Sequence, residues 1–221
     1  MMRVVIAGGH GKIALILERL LTQRGDSVAG IIRNPDHAPD LQAAGAEALV
    51  VDLETASVDE VAAHLEGADA VFFAAGAGPG SGAERKETVD RDAAILLADA
   101  AEAAKVTRYV MISSIGADTE APDDAGNPVF VAYLRAKGAA DDNVRARTGF
   151  DSTIVRPGHL TNNPGTGRVT IAEDAGHGDI PRADVAAVLL AVLDTPATAG
   201  QTFEVISGDT PIAEALAARV S

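Results

Sequence analysis

Residues 3–21 read RVVIAGGHGKIALILERLL, an apolar run that breaks on glycines and resumes with helical spacing. This feature constrains the fold more than any other in the chain. The segment 3–7 reads as a strand buried on both faces, and 11–23 as the helix that follows it. A strand that turns into a helix across glycines opens a β-α unit and points to a parallel sheet. Two spacings fit the turn, Gly8-x-x-Gly11-x-x-Ala14 and Gly9-x-Gly11-x-x-Ala14, and the residues alone do not choose between them. In either, glycine permits a tight turn and lets main chain approach a pyrophosphate, while Ala14 lets helix pack close to strand. The amides around His10, Gly11, Lys12 and Ile13 would then face the phosphates. A phosphate loop of the Gly-Lys-Ser/Thr kind is disfavoured, because Lys12 is followed by Ile13.

The alternation continues to the end of the chain. Strands are expected at 3–7, 27–32, 47–51, 69–74, 107–112, 151–155 and 202–206, and helices near 11–23, 37–44, 57–65, 84–104, 130–147, 182–194 and 210–219. No repeat or linker divides them, so residues 1–221 are expected to form one doubly wound α/β domain with about seven parallel strands. Three stretches read as loops: 76–83 (GAGPGSGA), 116–128 (GADTEAPDDAGNP) and 158–168 (GHLTNNPGTGR). If the strands are parallel, all three leave carboxyl ends, the edge where such sheets bind ligands.

Residues at those strand ends refine the expectation. An NAD site usually places an acid after the second strand, to hold both ribose hydroxyls. Here the sequence is GIIRNPD, with Arg33 at that point. A guanidinium suits a 2′-phosphate, with Lys12 as a second positive charge, which favours NADP(H) over NAD(H). The alternative is a surface ion pair of Arg33 with Asp36 or Asp52. After the third strand, Asp52 and Leu53 suit an adenine edge. After the fourth, Ala74, Ala75 and Gly76 are small enough for a ribose to lie against backbone.

The net charge of −14 disfavours nucleic acid as partner, since a phosphate backbone calls for a basic face. There is no cysteine, so disulfides and thiolate metal sites are excluded. His10, His37, His64 and His177 show no metal-ligand spacing, and no metal is expected. The N-terminal apolar run is too short for a signal peptide or a membrane span, which suggests a cytoplasmic protein that acts on a small molecule as monomer or homodimer.

The pieces IAGGHGKIA, GIIRNP, VVDL, FFAAGAG, YVMISSIGA, YLRAK and IVRPGHLT, followed by DIPRADVAAVLLAVL, lie in order along nearly the whole chain. Together they resemble the short-chain dehydrogenase/reductase superfamily, in its small atypical branch of NAD(P)-binding oxidoreductases. Flavin and biliverdin reductase-like members are similar, and sugar-nucleotide epimerases and NmrA-like sensors more distantly so. The resemblance implies a Rossmann-type domain with a very small substrate-covering part. It places the catalytic serine at Ser113 or Ser114, the tyrosine at Tyr133 and the lysine at Lys137. It also sets Pro157, Gly158 and His159 beside the nicotinamide. A phenol with a pKa near 10 donates a proton at neutral pH only if its phenolate is stabilised. Lys137, four residues on in the helix, suits that task and a ribose contact. In the structural alternative, Tyr133 anchors its helix with Val129, Ala132, Ala136 and Ala140, and Lys137 is a snorkelling charge.

These readings lead to an NADPH-dependent oxidoreductase acting on a small carbonyl, quinone or flavin-type acceptor. The alternatives are a non-catalytic NADP(H) sensor and a sugar-nucleotide epimerase-like enzyme. The three loops carry no aromatic platform, and the acceptor is not legible from them.

Overall fold

The structure, a computed structural model, describes residues 1–78 and 80–220; Pro79, in the expected loop 76–83, and Ser221 lie outside the described residues. The first half runs β1 (Arg3–Ala7), α1 (Lys12–Arg24), β2 (Ser27–Ile32), α2 (Ala38–Ala43), β3 (Glu47–Val50), α3 (Val58–Leu65) and β4 (Ala70–Phe73). An interrupted helix follows, made of α4 (Ala83–Arg85), a π-helical segment (Lys86–Asp92) and α5 (Ala93–Ala103). The second half contains β5 (Arg108–Ile112), α6 (Pro128–Arg145), β6 (Asp151–Pro157), β7 (His159–Thr161), β8 (Arg168–Ala172) and β9 (Asp179–Pro181). It closes with α7 (Arg182–Leu193), β10 (Gln201–Ser207), β11 (Thr210–Pro211) and α8 (Ile212–Arg219).

The seven expected strands form the parallel part of one sheet, in the order β3-β2-β1-β4-β5-β6-β10. Strand order reverses between β1 and β4, which opens a crevice at their carboxyl ends. Among the described residues the sheet has nine strands rather than about seven, because β8 pairs antiparallel with β10 and β11 with β8. They lie at one margin of the sheet, where β8 is only five residues long and β11 only two. The expected loop 158–168 likewise contains β7, which pairs with β9 in a separate two-stranded sheet. The expected helix 84–104 is interrupted by the π-helical segment, a feature that composition does not signal.

Alternation along β1 explains the two-sided core. Val4 and Ile6 pack with Leu17 and Leu21 of α1, Leu189 and Val192 of α7 and Leu216 of α8. Val5 and Ala7 pack on the other face with Val61 and Leu65 of α3, Leu97 of α5 and Val144 of α6. Both faces are therefore covered, as the continuous apolar runs require.

Local signals fix the helices that carry the site. Gly25 ends α1 with φ +94°, a left-handed cap. Pro128 opens α6, and the Asn127 side chain accepts the Phe130 amide at 3.0 Å. That cap sets the phase of Phe130, Tyr133 and Lys137. Among the described residues, no helix is long and apolar enough to cross a membrane.

Candidate active site

Close backbone approach requires two glycines of the first turn, and the third begins the helix. Gly8 has φ +81°, and a Cβ there would come within 2.6 Å of the Ala75 backbone. Gly9 is buried against β2, where a Cβ would lie 2.7 Å from the Gly30 Cα. Gly11 is the N-cap of α1 and donates its amide to the Gly8 carbonyl at 2.8 Å. The α1 N-terminus has neither a capping side chain nor an acid in its first turn. It leaves amide donors and the positive end of a helix dipole open to an anion.

Above the turn lies a cavity of about 280 Å³. Gly8, His10, Gly11, Arg33, Asp52, Leu53, Ala74, Ala75 and Gly76 line it, as do Asn34, His37, Glu54 and Arg85, which the sequence reading did not single out. Lys12 points to solvent, and Ile13 opens instead onto the neighbouring cavity. Arg33 pairs with neither Asp36 nor Asp52; its Nη1 donates to Glu54 at 2.7 Å. Arg85 donates to the same carboxylate at 2.7 Å, and the Thr88 hydroxyl donates to it at 2.8 Å. Hydrogen bonds from Arg85 and Thr88 and the charge of both arginines hold the Glu54 carboxyl below the usual carboxylate range, against a smaller burial effect. Asp52 accepts the Glu54 amide at 3.0 Å. His10 stacks on His37 with ring centres 3.6 Å apart and reaches Asp40 at 2.7 Å.

A second cavity, of about 490 Å³, meets the first along Ala74, Ala75 and Gly76. Its walls include Ile13, Lys86, Asp90, Ser113, Phe130, Tyr133, Lys137 and Leu160. Lys137 is buried and donates to the Ile112 carbonyl at 3.2 Å and the Ala75 carbonyl at 3.5 Å. It also pairs with Asp90 at 3.4 Å. Asp90 comes from the π-helical segment and accepts the Ala77 amide at 3.2 Å. Tyr133 is half-buried, and the ammonium over its ring, 5.4 Å from the centre, is that of Lys86. Lys137 is therefore neither a snorkelling surface charge nor the cation over the tyrosine ring.

Of the two candidate serines, Ser113 lines this cavity. Ser113 is buried and faces Asp141, whose carboxyl is pushed up by burial against the opposing influence of Arg156, Ser113 and Lys137. Arg156 pairs with Asp141 at 2.7 Å. Ser114 donates to the Ile115 carbonyl at 3.1 Å and borders a third cavity, with Pro157, Gly158, His159 and His177. His159 is mostly exposed and pairs with Asp179 at 3.1 Å. The sequence reading missed Asp90, because a single acid in a charged helical stretch looks solvated. It missed Glu54 as well, although that acid directly follows Asp52 and Leu53.

The cleft fits a dinucleotide: an uncapped helix N-terminus and a glycine-rich turn line the first of two joined cavities. The comparisons agree with this geometry. The chain is 39% identical over 217 residues to a Bacillus subtilis protein named uncharacterized sugar epimerase YhfK, covering 97% of this chain and 99% of that one. It is similar to a solved Bacillus halodurans structure with the provisional name NAD-dependent epimerase/dehydratase, at 37% identity and TM-score 0.89, over 99% of this chain and 100% of the other. The oxidoreductase ylbE from Lactococcus lactis superposes with TM-score 0.85 at 27% identity, over 98% and 96% of the two chains. The model of the NAD(P)H-binding family matches residues 8–196, and the chain belongs to that family, within the Rossmann-type atypical dehydrogenase/reductase group.

Proposed function

We propose that the protein is an NADPH-dependent oxidoreductase acting on a small carbonyl, quinone or flavin-type acceptor. The observation that carries this reading is the meeting of the two cavities at Ala74–Gly76, with the glycine turn at one end and Tyr133 and Lys137 at the other. The turn amides and the α1 N-terminus would hold the diphosphate, Asp52 and Leu53 the adenine, and Arg33 a 2′-phosphate. Lys137, fixed by Asp90 and two carbonyls, would hold the nicotinamide ribose. The bound cofactor would supply a hydride. The Tyr133 hydroxyl would supply the accompanying proton, and Ser113, which lines the second cavity where Ser114 does not, would steady the acceptor oxygen. Pro157, Gly158 and His159 would shape the far side of the nicotinamide region.

Titrating the purified protein with NADPH and a panel of quinones, flavins and aldehydes tests the reading. Oxidation of NADPH by one class, reduced by Tyr133→Phe, is the expected result. Binding with no oxidation by any acceptor would turn the reading into that of a sensor. An epimerase reading draws on the name of the Bacillus subtilis relative. It predicts NAD that stays with the protein through purification, visible by chromatography of the denatured sample. On our reading the protein is cytoplasmic, binds neither nucleic acid nor membrane, and is a monomer or homodimer; light scattering separates those two states.

A further inference from the structure

The chain has four lysines, and two of them line the second cavity. Lys137 is compensated there by Asp90. Lys86 is not: among the described residues it forms no ion pair. It is 9% exposed, and its ammonium donates to the Gly78 carbonyl at 3.0 Å and lies over the Tyr133 ring. Burying an ammonium without a carboxylate costs free energy that one carbonyl and one ring face offset only in part. An anion entering the cavity would complete the set. Asp90 is the acid in the lining, so with both lysines charged the cavity carries about one net positive charge on a chain of net −14.

The other walls describe the rest of the ligand. Ile13, Ile112, Val129, Phe130 and Leu160 are apolar. Val129 and Phe130 are 37% and 43% exposed, unusual for large apolar side chains in this molecule. The Phe130 ring lies 6.0 Å from that of Tyr133, tilted by 28°. The aromatic platform absent from the three loops is therefore supplied by the first turns of α6. An open ring beside an uncompensated ammonium suits a flat molecule with a charged end.

We propose that this cavity receives a planar, conjugated acceptor bearing a carboxylate, with Lys86 holding the carboxylate and Phe130 covering the conjugated face. The word acceptor rests on the oxidoreductase reading; the binding chemistry does not. The probes are 4-formylcinnamic acid and its methyl ester, which share a flat skeleton and differ by one charge. Calorimetry with the NADP⁺-saturated protein is expected to show the acid binding about ten-fold or more tighter than the ester, less so as salt is raised. The acid-to-ester ratio should fall towards one in Lys86→Met and survive in Lys86→Arg, with melting curves verifying that both variants fold. An unchanged ratio in folded Lys86→Met overturns the proposal, as does equal binding of acid and ester by the parent protein or binding of neither. A loss of NADP⁺ affinity in Lys86→Met that matches the loss for the acid overturns it too, since Lys86 would then grip the cofactor. Charge-dependent binding of the acid with no reduction of any acceptor would retain this inference and reject the oxidoreductase reading. Reduction without charge preference would do the reverse.

Discussion

Lys137 and Asp90 face each other at 3.4 Å with side chains 4% and 1% exposed, one from α6 and the other from the π-helical segment. The interruption in that helix brings an acid inward at the level of the lysine, and the pair ties two elements to the end of β4 through the Ala75 carbonyl and the Ala77 amide. Removing one partner of a buried pair leaves an uncompensated charge. Asp90→Asn is therefore expected to lower stability by about 3 kcal/mol or more and to weaken NADP⁺ binding. Replacing both partners, as Asp90→Leu with Lys137→Met, should recover much of the stability without restoring cofactor binding. Urea unfolding and calorimetry on the same samples check both expectations, and a double variant no more stable than the single one would refute the pairing.

Glu54 occupies two guanidinium groups that a 2′-phosphate would also seek. Its carboxylate keeps Arg33 and Arg85 at the pocket wall and opposes a second anion there. Glu54→Gln removes one negative charge and frees both donors. NADPH should bind several-fold more tightly in this variant, with little change for NADH. Arg33→Glu should act in the opposite sense, weakening NADPH more than NADH. Dissociation constants from nicotinamide fluorescence decide it, and equal effects on the two cofactors would remove the assignment.

The seven parallel strands were legible because strands covered on both faces are continuous apolar runs, as in VVIA and AVFF. The glycine turn was legible because β1 leads directly into it. Long-range charge pairing was not legible: Arg33 meets Glu54 across 21 residues and Lys137 meets Asp90 across 47. A local pattern does not carry such pairings, because they arise only when the fold brings distant segments together. The i,i+4 relation of Tyr133 and Lys137 was visible, but not that Lys86 would be the cation over the tyrosine ring.

Gly8 and Gly25 both have positive φ, +81° and +94°, but only Gly8 is crowded by backbone. At Gly25 nothing among the described residues lies within 4 Å of an added Cβ. Gly25→Ala should cost about 1 kcal/mol, the strain of a left-handed alanine. Gly8→Ala adds a collision with Ala75 that backbone must yield to, so it should cost several-fold more and abolish the heat of NADP⁺ binding. Thermal melts of the two variants side by side separate conformational strain from crowding.

Glu18 lies on the inner face of α1, with both carboxyl oxygens buried and no hydrogen-bond partner among the described residues. Burial raises its pKa from 4.5 to about 8, with the charge of Arg19 opposing. Between these values the folded chain keeps the proton and the unfolded chain releases it. The unfolded state then binds fewer protons, so this group makes stability fall as pH rises, by at most about 1.4 kcal/mol per unit. The loss begins near pH 4.5 and levels off above pH 8. In Glu18→Gln the slope should disappear. The two proteins should match within about 1 kcal/mol at pH 4, and the variant should be a few kcal/mol more stable at pH 8. Subtracting the urea-derived stabilities across that range isolates Glu18 from every other titrating group. A flat difference would mean that the carboxylate is charged in the folded protein and has found a partner beneath the glycine turn.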